Sequence, residues 1–290
     1  MKKLKIGLPK GSLQENTFEL FKKAGFKIYA SSRQYKPYCD DEELDITLVR
    51  AQEIPKYVEE GVFDCGITGY DWILETNAKV KQICELVYSK SGFRPVRWVV
   101  AIPENSPITS IAQLKNKRIA TELVNYTKRY FKKRNIPVEV EFSWGATEVK
   151  VPDLADAIVE LTETGSTLQA NKLKIIEEIL VSTTRFIANS NALKDSWKKE
   201  KIENVALLLQ GALEAEGMVG LKMNVEKKNL KQIEQILPSL KNPTISQLSD
   251  PNWVAVEVVL KESEVKKIIP KLKKSGAQGI IEYPLNKVIY

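Results

Sequence analysis

The run Thr164-Gly165-Ser166-Thr167 puts three hydroxyls and a glycine in four consecutive positions. A turn of that composition, opening onto a helix N-terminus, offers amides and hydroxyls to a phosphate dianion. Gly165 removes the Cβ that would block close approach of the anion. The same four residues would equally make a plain inter-helix turn with Ser166 or Thr167 as N-cap. Asp156 lies eight residues upstream of Thr164. The spacing of Leu154, Ile158 and Leu161 predicts a helix over Pro152–Glu163, with Asp156 pointing away from its apolar face. An acid beside a phosphate turn is suited to accept hydrogen bonds from ribose hydroxyls; a solvated helix acid is the plain alternative. Glu148, in the loop before that helix, is a second candidate for ribose or substrate contact.

The chain has no histidine, which removes Ser-His and Cys-His nucleophile schemes and any histidine-based metal site. Chemistry must then rest on carboxylates, lysine, arginine, backbone amides or groups of the substrate itself. Cys39, Cys65 and Cys84 lack CxxC spacing and are odd in number, so neither a disulfide framework nor a zinc site is expected. The net charge of +7 suits either nucleic acid or a cleft for polyphosphates. The lysines are scattered over helix faces such as 198–201 and 266–274 rather than gathered with aromatics, which disfavours nucleic acid. No apolar run reaches bilayer-spanning length, and Lys5, Gly7, Pro9 and Lys10 interrupt any export signal. A cytoplasmic protein without membrane attachment is expected.

At 290 residues, two or three compact units are expected. Short apolar strands at Leu4–Leu8, Ile46–Val49 and Phe63–Thr68 alternate with helices at Leu13–Lys23 and Ala51–Glu60, the pattern of a mostly parallel sheet with helices on both faces. A second lobe follows: strands at Arg97–Ile102, Lys117–Ala120 and Val138–Phe142, and helices at Val124–Arg134, Pro152–Glu163 and Leu168–Leu180. Arg185–Ala188 reads as a strand and Lys194–Glu216 as a long helix. The remainder runs strand, helix, strand, strand, helix, strand. This βαββαβ order is the ferredoxin-like arrangement.

These motifs resemble the ATP phosphoribosyltransferase family over nearly the whole chain. The segment 148–168 resembles that family's phosphoribosyl pyrophosphate signature, a Glu-Val pair before an Asp-Ala-Ile stretch and a Thr-Gly-x-Thr-Leu loop. Pro9-Lys10-Gly11-Ser12-Leu13 resembles its first turn, and Arg50-Ala-Gln-Glu-Ile-Pro55 its second. Asp64-Cys-Gly-Ile-Thr68-Gly69-Tyr-Asp71, Arg118-Ile-Ala-Thr121 and Pro243-Thr244-Ile-Ser246 match further segments. Two departures stand out. Ser12 takes a position where many members carry arginine, and Asp153 one where many carry glycine.

The resemblance implies the long form of the family. Its fold would be a two-lobed, type II periplasmic-binding-protein-like α/β catalytic part with a ferredoxin-like, ACT-like regulatory domain. Lobe I would comprise residues 1–93 with 181–214, lobe II residues 94–180, and the regulatory domain residues 215–290. The implied reaction joins N1 of the ATP adenine to C1 of phosphoribosyl pyrophosphate, with pyrophosphate leaving and Mg²⁺ carried mainly on substrate phosphates. Thr164, Gly165, Ser166 and Thr167 would hold the 5′-phosphate and Asp156 the ribose hydroxyls. Lys10, Gly11, Ser12, Arg50, Asp64, Thr68 and Gly69 would face ATP and pyrophosphate, and Asp156, Glu148 and Lys10 are the implied catalytic set. Thr244 and Ser246 would either hold histidine as feedback inhibitor or merely pair strands. Dimers assembling into hexamers are implied. The competing reading is a non-catalytic, two-lobed small-molecule sensor.

Overall fold

The computed structural model describes residues 1–31, 33–89, 92–237 and 242–290. Two compact units divide the chain, Met1–Ala206 and Leu207–Tyr290.

The first unit opens with β1 (Leu4–Lys10), α1 (Gln14–Ala24), the short pair β2 (Ile28–Tyr29) and β3 (Tyr38–Cys39), then β4 (Leu44–Arg50), α2 (Ile54–Glu59), β5 (Cys65–Gly69), α3 (Tyr70–Thr76) and β6 (Lys81–Leu86). Lobe II supplies β7 (Val96–Pro103), β8 (Arg118–Thr121), α4 (Val124–Lys133), β9 (Glu139–Phe142), β10 (Ala157–Thr162), α5 (Ser166–Ala170) and β11 (Leu173–Ser182). The chain returns through β12 (Thr184–Ala188) to α6 (Ser196–Glu214).

The lobe I sheet has the order β4-β1-β5-β12-β6, and the lobe II sheet β11-β7-β10-β8-β9. Read from the other edge, the second order repeats the first. In each lobe the first three parallel strands lie second-first-third, then comes an antiparallel strand that has crossed from the other lobe, then the fourth. This repeated order, with one exchanged strand in each sheet, is the type II two-lobed architecture. The crossings fall between Leu86 and Val96 and at Thr183, between β11 and β12.

Two expected helices are strands. Residues 157–162 form β10, sandwiched between β7 and β8, with Ala157, Ile158 and Val159 fully buried. Most of 168–180 is β11, which runs antiparallel to β7. Apolar side chains cover both faces of the lobe II sheet: Trp98, Val100, Ile119 and Phe131 on one side, Val99, Ala101, Ile158 and Leu168 on the other. A strand buried on both faces reads as a continuous apolar run and loses its alternation. That is why helical spacing fits it by accident.

The second unit contains β13 (Met218–Glu226), α7 (Leu230–Ile236), β14 (Thr244–Gln247), β15 (Trp253–Lys261), α8 (Glu262–Lys274) and β16 (Gln278–Pro284). Its antiparallel order β14-β15-β13-β16 is that of the ferredoxin-like fold. Leu221, Met223, Val256, Val258 and Leu272 centre its core. The end of α6 belongs with this unit: the Val288 amide donates to the Gly211 carbonyl at 2.8 Å. The two compact units divide at 206/207, inside α6.

Candidate active site

In open α/β sheets the ligand site lies beyond the carboxyl ends of the parallel strands. Here those ends face each other across a cavity of about 300 Å³ between the lobes. Lobe I contributes Lys10, Gly11 and Ser12 from the end of β1, Arg50 from the end of β4, and Gly69 from the end of β5. Lobe II contributes Glu122 after β8, Glu160 on β10 and Glu163 just beyond it. Cations on one wall thus oppose carboxylates on the other.

Lys10 and Arg50 are register partners in the parallel β1–β4 pair. Lys10 Nζ donates to the Gln34 carbonyl at 3.2 Å and stands 4.7 Å over the Tyr35 ring. Gly11 has φ of +108°, with open space where a Cβ would point. Gly69 lies against the Asp71 carboxylate, so a side chain there would strike Asp71 Oδ1.

The Thr164–Thr167 turn joins a strand to a helix rather than two helices. The Gly165 amide donates to Thr162 Oγ1 at 2.8 Å, and Thr164 Oγ1 lies 2.9 Å from Ser166 Oγ. Gly165 has φ of +83° with open space on its Cβ side. The first helical bond of α5 runs from the Gln169 amide to the Gly165 carbonyl. The amides of Thr167 and Leu168 precede it and point out of the helix start. Thr164, Ser166 and Thr167 are exposed.

Asp156 does not join them. It precedes β10 whereas Thr164 follows it, and a strand of that length rises roughly 20 Å. Its Oδ2 accepts the Arg118 amide at 2.9 Å and its Oδ1 the Lys117 ammonium at 3.1 Å. Partial desolvation opposes ionisation, but these partners outweigh it and hold the carboxyl below its ordinary range. Asp64 stands at the same end of lobe I. It precedes β5, accepting the Lys5 amide at 2.9 Å and the Lys198 ammonium at 2.6 Å. Both aspartates fasten strand starts remote from the cleft, so neither can touch a ligand in it. Thr68 is also buried, donating from Oγ1 to the Ala51 carbonyl at 2.7 Å. Glu148 is outside the cavity lining but near enough for its charge to act on Glu160.

Besides Asp71 and Glu122, the acids that reach the cleft are Glu160 and Glu163, which the helix assignment hid. On a strand, Glu160 sits near the cleft end of β10, shortly before the Thr164–Thr167 turn. Burial pushes its carboxyl up to about 7; hydrogen bonds from Thr147 and the Leu161 amide oppose the shift, and the charges of Glu148 and Glu122 add to it. Asp71 and Trp98 were missed as well. Trp98 Nε1 donates to Asp71 Oδ2 at 2.7 Å, and burial raises the Asp71 carboxyl against its hydrogen bonds from Trp98, Trp72 and Ser182. Thr244 and Ser246 lie on edge strand β14, opposite Glu257 and Ala255 of β15.

Fold and cleft define a two-lobed α/β protein of the type II binding-protein architecture, with Lys10 and Arg50 set across the cavity from Glu122, Glu160 and Glu163. Residues 50–211 match the HisG family, ATP phosphoribosyltransferase, and residues 215–287 match the HisG C-terminal domain. The chain is 63% identical over 288 residues to the ATP phosphoribosyltransferase of Thermodesulfovibrio yellowstonii, covering 99% of each protein. Among solved structures it is similar to the ATP phosphoribosyl transferase (HisG:HisZ) complex from Thermotoga maritima, with 28% identity, a TM-score of 0.61, and coverage of 71% of this chain and 98% of that one. Tv2483 bound to L-arginine shares the fold, with a TM-score of 0.51, 16% identity, and coverage of 74% of this chain and 86% of that one. The chain belongs to the ATP phosphoribosyltransferase family, in its long form with the C-terminal domain: a pentosyltransferase of histidine biosynthesis.

Proposed function

We propose that the protein joins ATP to phosphoribosyl pyrophosphate in the cleft, giving phosphoribosyl-ATP and pyrophosphate. The observation that carries the reading is the opposition of Lys10 and Arg50 on one wall to Glu122, Glu160 and Glu163 on the other, with the hydroxyl turn following Glu163 directly in the chain. The 5′-phosphate takes the turn, held by the hydroxyls of Thr164, Ser166 and Thr167 and by amides opened by Gly165. Glu160 and Glu163 accept hydrogen bonds from the ribose hydroxyls, the role that the sequence suggested for Asp156.

N1 of the adenine forms a bond to C1 of the ribose while the C1–oxygen bond breaks, its electron pair leaving with pyrophosphate. The nucleophile belongs to the substrate, so the chain needs no histidine. Lys10 and Arg50 neutralise charge on the phosphates and align the reactants. Among the described residues no group of three or more His, Cys, Asp or Glu side chains can seat a metal ion. Mg²⁺ would be held mainly by pyrophosphate oxygens and water. The ion supplies further charge neutralisation on the leaving group.

Purified protein given ATP, phosphoribosyl pyrophosphate and Mg²⁺ is expected to form an N1-substituted adenine nucleotide, followed by its ultraviolet absorbance. No product at saturating substrate would favour the sensor reading instead. The C-terminal unit is assigned to feedback control by histidine, with Thr244 and Ser246 offering hydroxyls to the ligand. Removal of residues 215–290 is expected to abolish histidine inhibition; persistent inhibition would rule that out. We place the enzyme in the cytoplasm as a homo-oligomer of dimers. Among the described residues no helix is long and apolar enough to cross a membrane.

A further inference from the structure

By chain order α3 belongs to lobe I, because it connects β5 to β6 and both are strands of that sheet. Its side chains divide between the lobes. Ile73 packs in the lobe I core with Ile54, Val58 and Ile187. Trp72 packs in the lobe II core, edge-on to Trp98 with ring centroids 6.0 Å apart. Asp71 binds the Trp98 indole, and its amide donates to Ser182 Oγ at 3.0 Å. At the far end of the helix the Leu74 carbonyl accepts the Arg129 guanidinium of α4.

The most telling contact is Glu75. Helix α4 begins after Leu123, which makes no side-chain capping bond. Its first amides would lack acceptors, but Glu75 supplies them from α3: Oε1 accepts the Asn125 amide at 2.9 Å and Oε2 the Tyr126 amide at 2.8 Å. An acid at a helix N-terminus also meets the favourable end of its dipole. A helix of one lobe thereby caps a helix of the other. The capped start of α4 directly follows Glu122, one of the carboxylates in the cleft wall.

We infer that α3 is an interlobe strut and that Glu75, which does not line the cleft, is a positioning residue for the transfer reaction. By fixing the start of α4, it holds Glu122 and the end of β8 at their distance from the cationic wall. The inference rests on the reading that transfer takes place in this cleft.

The test uses the full-length protein with Glu75→Ala and Glu75→Gln. Amide hydrogen exchange is followed by mass spectrometry over 122–128, and steady-state kinetics with ATP, phosphoribosyl pyrophosphate and Mg²⁺. Glu75→Ala is expected to speed exchange in that segment about fivefold, the equivalent of a lost helix cap. It should lower kcat/KM about tenfold, short of the roughly 100-fold that a full 1 Å misplacement can cost. Glu75→Gln, which keeps an acceptor oxygen, should fall between it and the native enzyme on both readouts. Faster exchange with unchanged kinetics would overturn the positioning role, and unchanged exchange would overturn the strut. Where Glu75→Ala fails to fold, Glu75→Gln decides alone: native values on both readouts overturn the inference. A native protein that forms no phosphoribosyl-ATP would defeat the transfer reading, while the exchange data would still judge the strut.

Discussion

Lobes I and II repeat the same strand order and the same fastening. At the base of each, an aspartate preceding the third parallel strand accepts the amide of a first-strand residue, Lys5 for Asp64 and Arg118 for Asp156. A lysine then pairs with the remaining carboxylate oxygen, Lys198 in one lobe and Lys117 in the other. The tops diverge. In lobe I the third strand runs straight through Gly69 into α3. In lobe II it ends in Glu163 and a glycine-opened turn before α5. One scaffold thus appears twice, its base fastened alike in both lobes and its cleft-side top shaped differently in each.

That division has consequences that can be checked. The largest concerns the top of lobe II: Glu160→Ala should lower kcat/KM for phosphoribosyl pyrophosphate about 100-fold, as expected when hydrogen bonds to a charged group are lost. Stability should scarcely change, and an unaltered kcat/KM would erase the functional asymmetry. Next is the base of lobe I. The Asp64 side chain is only 9% exposed, so Asp64→Ala should cost about 3 kcal/mol in urea unfolding by leaving Lys198 without its partner. The matching change in lobe II, Asp156→Ala, removes a more exposed pair and should cost about 1 kcal/mol. Its kinetics with phosphoribosyl pyrophosphate should stay native; a selective rise in KM would return Asp156 to the ligand.

The smallest effect sharpens the comparison through pH. Burial raises the Glu160 carboxyl from 4.5 to about 7, so between those values the folded chain keeps a proton that the unfolded chain releases. The stability that this contributes is complete below about pH 4.5 and is lost as pH rises through about 7. Glu160→Gln, which stays neutral, should therefore melt a few degrees above the native protein at pH 8, with the gap closing near pH 5. A gap independent of pH would show that Glu160 does not titrate in that range.

How far the sequence could be read follows from how each sheet is exposed. In the C-terminal unit β15 alternates, with Val254, Val256, Val258 and Leu260 inward and Glu257 and Lys261 less buried. That alternation, shared by β13, made the two central strands legible. In lobe II the run 157–162 is buried between other strands and has no polar face to set a period of two. Leu154, Ile158 and Leu161 then matched a helix. That one misreading set Asp156 beside the turn and hid the place of Glu160 in the cavity wall. On a helix Asp156 would lie roughly 12 Å from Thr164 along the axis, near enough to share a sugar with it, and Glu160 would have seemed one more surface acid. That residues 164–167 form a turn was legible, because a glycine among hydroxyl residues favours one whichever element precedes it. The interlobe role of α3 was not, since nothing local in Tyr70–Thr76 reports that two cores will claim its neighbouring side chains.

The register of β1 against β4 also has an outcome for solution behaviour. It sets the backbones of Lys10 and Arg50 one strand spacing apart, about 4.8 Å, so two cationic side chains start from the same rim of the cavity. Any polyanion that enters meets both. Tripolyphosphate alone, with no sugar or base, should therefore raise the melting temperature, and added salt should blunt the gain.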